Sequence, residues 1–225
     1  MKEHTLSSFD DALRDLIDRV LEMGEGVKMM VAKAAPIFLE RNLTAADSLI
    51  RDDLDIDQRK DALIAAAVLV LARHQPVASD LRLVLAVEHI ASDLERAADH
   101  AKNIAKRATS QYDPGAFDAA ICDQMLRLHQ AAQSLLSDAL VAFRDADSEL
   151  AGEVSHRDSV PDEIYDDMFH SVIARIQTSP EQVAGDIQAL FVGKSLERIG
   201  DHATNIAEEA RFRARGIYPS AKRER

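Results

Sequence analysis

Tryptophan is absent from this chain, and aromatic residues of all kinds make up only 4% of its 225 positions. Eight glycines and six prolines are too few for a loop-rich or turn-rich β architecture, and alternating strand patterns are missing as well. With one cysteine, Cys122, no intrachain disulfide can form, which fits a reducing compartment. Cys122 recurs at the position of Ile17 in an internal repeat and reads as a small core residue, not a nucleophile. The longest apolar run, Ala62 to Ala72, falls short of the roughly 20 residues a bilayer requires. The start of the chain, with Glu3, His4 and Asp10, has no apolar signal region. A cytoplasmic protein is expected. Basic charge is also scarce: the formal net charge is −12, which disfavours a phosphate-backbone binder and predicts no nucleic-acid partner. The basic residues gathered near the C-terminus, Arg211 to Arg225, read as a helix end complementing its dipole.

What is present is helix, twice over. Leu94-Glu95-Arg96-Ala97-Ala98-Asp99-His100-Ala101-Lys102-Asn103-Ile104-Ala105 returns as Leu196-Glu197-Arg198-Ile199-Gly200-Asp201-His202-Ala203-Thr204-Asn205-Ile206-Ala207, with nine of twelve positions identical at a spacing of 102. Leu94, Ala97, Ala101, Ile104 and Ala108 follow the three-and-four period of a buried helical seam, and Leu196, Ile199, Ala203, Ile206 and Ala210 repeat it. Upstream, the halves align at a spacing of 105: Phe38 with Phe143, Asn42 with Asp147, Ala46 with Ala151. The fold class is therefore all-α, two tandem, pseudo-symmetric three-helix bundles, residues 1–110 and 111–225. Ser7 or Ser8 is placed at the first helix start, Asp113-Pro114 at the fourth, and Ser179-Pro180-Glu181-Gln182 at the sixth. The fifth helix spans about Leu150 to Thr178, with Pro161 able to break it or to leave Asp158 as a cap.

Carboxylates occupy positions that the seam reserves for apolar side chains. Glu95 and Asp99 lie four apart and sit one above the other, as do Glu197 and Asp201. Each pair repels by about 0.2–0.5 kcal/mol unless a cation intervenes. Asp53 falls on the seam of the second helix with Asp57 four residues on, and Asp158 and Asp162 repeat them. An ionised carboxylate there needs a partner or a metal. If neighbouring helices face these pairs together, each half offers a four-carboxylate site: Asp53, Asp57, Glu95 and Asp99 in one, Asp158, Asp162, Glu197 and Asp201 in the other. Oxygen-only ligands suit Mg²⁺, Mn²⁺ or iron above copper, and can hold zinc weakly. His100 and His202 point away from the carboxylates and read as inter-helix partners; Arg96 and Arg198 read as pairing with nearby acids. Gly193-Lys194-Ser195 ends like a phosphate loop, but Gln188 stands where its earlier glycine belongs. Glu153 and His156 form one ExxH where ferritin-like di-iron sites need two. No nucleophile–base constellation is legible, so no enzyme is predicted. A metal-dependent hydrolase or oxidase, and a scaffold whose carboxylates only form salt bridges, are the alternatives.

The chain resembles the PhoU family of phosphate-signalling proteins. The resemblance rests on Phe9-Asp10, on Gln75-Pro76-Val77-Ala78-Ser79-Asp80-Leu81-Arg82, and on the paired Leu-Glu-Arg-x-x-Asp-His-Ala-x-Asn-Ile-Ala segments. It implies two three-helix bundles, usually a homodimer, and metal ions (iron, zinc, magnesium or manganese) at E/DxxxD motifs that map onto Glu95/Asp99 and Glu197/Asp201, faced by Asp53/Asp57 and Asp158/Asp162. It implies a negative regulator of the phosphate-starvation response, an adaptor between the ATPase subunit of the high-affinity phosphate transporter and the phosphate-sensing histidine kinase, reaching the inner membrane only through those partners. Ala97-Ala98 departs from the family's frequent Ile-Gly, which alters how closely a neighbouring helix can pack.

Overall fold

The turn after the first helix of each half is built twice in the same way. Helix α1 (Lys2–Glu40) ends at Arg41 and α4 (Ala119–Asp145) at Ala146, and both residues take a left-handed φ of 52°. That conformation costs a non-glycine residue about 1 kcal/mol. It is held by matched backbone bonds: the Asn42 amide donates to the Ile37 carbonyl at 3.0 Å, the Asp147 amide to the Ala142 carbonyl at 2.9 Å. Asn42 then accepts from the Ala45 amide to start α2 (Leu43–His74), and Asp147 accepts from Glu149 and Leu150 to start α5 (Ser148–His156). The computed structural model describes residues 2–113, 115 and 117–217, with side chains from residue 8.

The remaining helices are α3 (Ala78–Ala108), α6 (Ser159–Thr178) and α7 (Val183–Arg215). No strand occurs among the described residues. Helices α1–α3 form one three-helix bundle, and α4, the interrupted α5–α6 rod and α7 form the other. The core lies where the period placed it: all five seam residues of each repeated segment are buried, as are the equivalent Phe38 and Phe143. Each fully buried Leu, Ile or Phe contributes about 1.5–3 kcal/mol relative to exposure.

Four local expectations shift. Helix α1 already begins at Lys2, so neither Ser7 nor Ser8 stands at its start. Asp113 accepts from the Gly115 amide, while Asp118 caps α4 through the Ala120 amide; Pro114 lies outside the described residues. Ser179 caps nothing with its side chain, because a 3-10 turn, Pro180–Gln182, takes up the first amides and α7 starts at Val183. The fifth helix breaks at Arg157-Asp158. Pro161 explains the place: its ring clashes with the carbonyl four residues back, that of Arg157, and it has no amide to bond there.

The two bundles meet along α3 and α7, the helices that carry the repeated segment, which pack on each other as extensively as α7 packs on α4. Their seam has a near-twofold axis. His100 stacks on His202 at its centre, 5.7 Å between ring centroids. On one side His89 meets Glu209 at 2.9 Å; at the equivalent positions on the other, the Arg107 guanidinium lies 4.1 Å from the Phe191 ring centroid. No described helix is long and apolar enough to cross a membrane.

Candidate functional site

The carboxylate positions of the first lobe gather between α2 and α3. Asp53 is buried at 3% exposure, as its seam position requires. The Lys102 ammonium donates to Asp53 Oδ2 at 2.5 Å and also to Asp99 Oδ1. Asp53 Oδ1 has no hydrogen-bond partner among the described residues. Burial alone would lower the Lys102 pKa, but the bonds and charges of Asp53 and Asp99 outweigh it and raise it. Glu95 meets Lys60 of α2 at 3.3 Å and Arg96 at 3.8 Å. Asp57, half-buried, forms no hydrogen bond or ion pair among the described residues.

The second lobe brings a smaller set together. Asp162, near the start of α6, faces Glu197 and Asp201 of α7. Burial of its carboxyl, the two neighbouring negative charges and a hydrogen bond to Glu197 push its pKa up to about 6, against a smaller lowering by Lys194. Lys194 pairs with Glu197 one turn along the same helix, its Nζ 2.7 Å from Oε1, and lies 5.2 Å from the Tyr165 ring centroid. Arg198 donates to Asp201 at 3.0 Å. Asp158 is not gathered in: it sits exposed at the N-cap of α6 and accepts no bond from the first amides of that helix. Thr204, one turn beyond Asp201, is buried and its hydroxyl has no partner among the described residues.

The imidazoles adjoining these acids, and Asn205, serve the lobe–lobe seam, whereas Asn103 is exposed. His202 Nδ1 lies 2.8 Å from Asp93 Oδ1, and the Asn205 amide donates to the same oxygen at 3.1 Å. Burial, then the nearby His202, lowers His100 to about 4, so it is neutral in the stack near pH 7. Sequence reasoning missed Asp93 because its counterpart is Ser195, so it gives no repeat signal. It gave Lys60 and Lys102 no role because, even for Lys60 on the seam of the second helix, the carboxylate a lysine meets is unknown until the facing helix is placed.

Among the described residues, no three His, Cys, Asp or Glu side chains converge closely enough to form a ready metal cage. The donor sets nevertheless differ in how they suit a hard cation. In the second lobe, Asp162 facing Glu197 and Asp201, its own pKa raised, and a buried hydroxyl with no partner among the described residues offer the oxygen donors such an ion needs. In the first lobe an ammonium already bridges the carboxylates of two helices.

The sequence profile of the PhoU domain matches residues 20–108 and again 125–210. The phosphate-specific transport system accessory protein PhoU homolog of Rhizobium meliloti is 33% identical over 220 residues, covering 98% of this chain and 92% of that protein. Its counterpart in Caulobacter vibrioides is 34% identical over 225 residues, covering 99% and 96%. The crystal structure of PhoU from Pseudomonas aeruginosa superposes with a TM-score of 0.87 at 30% identity, over 93% of this chain and 100% of that one. The phosphate transport system regulatory protein PhoU from Streptococcus pneumoniae superposes with a TM-score of 0.86 at 27% identity, over 94% and 99%.

Proposed function

Since the chain belongs to the PhoU family, we propose that it is an accessory protein of phosphate-specific transport that restrains the phosphate-starvation response. It acts as an adaptor between the transporter's ATPase subunit and the phosphate-sensing histidine kinase, as a cytoplasmic homodimer that reaches the inner membrane through those partners. The observation that carries this reading is the likeness, over nearly the full chain, to accessory proteins of that transport system. Large apolar side chains exposed at equivalent places in both lobes, Leu85 with Ile187 and Val68 with Ile173, are suited to protein partners.

The chain transmits a state and turns over no substrate. Hard metal ions (magnesium, manganese, iron or zinc) belong to this reading as structural cations. In the second lobe Asp162, Glu197 and Asp201 would hold one, with Asp158 able to join from the helix break, and the ion would supply the positive charge that ties α6 to α7. In the first lobe Asp53, Asp57, Glu95 and Asp99 are the corresponding oxygens, and an ion there has to compete with Lys102.

Deleting the gene in its own host, with a starvation-response reporter followed in phosphate-replete medium, tests the regulatory part. The reporter is expected to rise severalfold and to fall again on complementation, and tagged protein should co-purify the ATPase and the kinase. Intact repression in the deletion strain, with neither partner recovered, would end this reading.

A further inference from the structure

The lobes carry the same four carboxylates at equivalent positions, but different groups stand between them. In the first lobe the cations cross from helix to helix. Lys102 of α3 is held by Asp53 of α2 at 2.5 Å while touching Asp99 of its own helix, and Lys60 of α2 reaches Glu95 of α3 at 3.3 Å. The equivalent positions in the second lobe are Thr204 and Tyr165, which supply no charge. Among the described residues no lysine there forms an ion pair from α6 to α7: Lys194, half-exposed, engages Glu197 from the same helix and meets α6 only at the Tyr165 ring. The Thr204 hydroxyl, buried and without a partner among the described residues, lies in one stripe with Glu197 and Asp201.

We infer that the first lobe carries its own cation: Lys102 fills the place between Asp53 and Asp99 that a metal ion would take, so that this chain loads metal in the second lobe alone. The inference rests on the metal reading of the second lobe given above. Magnesium or manganese binds carboxylate oxygens at about 2.0–2.2 Å. An ammonium within hydrogen-bonding distance of Asp53 Oδ2 and Asp99 Oδ1 occupies the same small volume, and the two cannot coexist there. Metal state is then felt at the α6–α7 edge, while α2 stays fastened to α3 whether or not metal is present.

Titration of the full-length chain with MnCl₂, read by the electron paramagnetic resonance of free Mn²⁺ and by bound metal content, tests this. Glu95→Gln with Asp99→Asn should retain the manganese of the unmodified chain, and Glu197→Gln with Asp201→Asn should lose it. Adding Lys102→Thr to the second pair should restore binding, now in the first lobe. Lys102→Thr alone should melt several degrees lower, with Mn²⁺ reversing the loss. Manganese lost from the Glu95/Asp99 variant would overturn the inference and leave the metal reading standing. Manganese bound by Lys102→Thr but not by the unmodified chain would support the lysine assignment and defeat the metal reading of the second lobe. No manganese in any variant would overturn both.

Discussion

Helix α2 runs unbroken past α3, whereas its counterpart is cut into α5 and α6 opposite the same stretch of α7. Two substitutions account for the difference. Ile56 of α2 corresponds to Pro161, and Ala98 of α3 to Gly200. The proline ring interrupts the rod and leans on α7 so closely that a Cβ at Gly200 would lie 3.0 Å from Pro161 Cγ. The break turns Asp158 out to water, while the continuous helix carries Asp53 into the seam. A carboxylate in water needs no partner; one at 3% exposure does, and Lys102 answers Asp53. One carboxylate pattern thus meets two environments, set by the continuity of the backbone that bears it.

The largest effect should come from removing the bridging ammonium. Lys102→Ala leaves Asp53 buried and uncompensated, and should destabilise the chain by about 3 kcal/mol in urea unfolding. Thr204→Ala, at the equivalent place, should cost far less; equal losses would erase the contrast between the lobes. Next, Gly200→Val should cost about 2 kcal/mol by forcing Pro161 off α7, whereas Ala98→Gly should cost only the helix-propensity loss of about 1 kcal/mol. Thr204→Lys imports the first lobe's cation. By extending its stem outward to Asp162 and Asp201, it should stabilise the second lobe by up to about 1 kcal/mol and abolish manganese binding.

The smallest effect carries a pH signature. The Asp162 carboxyl, raised from 3.8 to about 6, takes up a proton on folding between those values. Its stabilising contribution is complete below 3.8 and is lost as pH rises through about 6, so at pH 7 the ionised group opposes folding. Asp162→Asn should therefore stabilise the protein at pH 7, by no more than about 1 kcal/mol because water reaches Asp162 and screens its charge despite the partial burial of its carboxyl. The gain should vanish near pH 3.5, as urea unfolding at the two pH values would record.

Much of this arrangement is written in the repeats. The spacings of 102 and 105 identify equivalent helices, and the seams from Leu94 and from Leu196 bury as their period requires. Asp53 stands out because it breaks an apolar period, and it is buried. Other features depend on facts no local pattern carries. The left-handed turns at Arg41 and Ala146 use neither glycine nor asparagine at the special φ. The break at Arg157 follows from a proline four residues later, which the sequence allows to act either as a breaker or as a tolerated early helix residue. Which carboxylate Lys102 reaches is decided by how α2 turns toward α3, a property of packing across 49 residues of chain.

The near-twofold seam of α3 and α7, with His100 against His202 at its centre, has the form of a contact between two identical subunits made within a single polypeptide. Were the halves separate products of one short gene, codon 102 and codon 204 would be the same codon, and a lysine suited to one edge would be imposed on the other. Linked in tandem, each half can mutate without its twin. The fusion keeps the geometry of a dimer and releases it from the obligation to be symmetric.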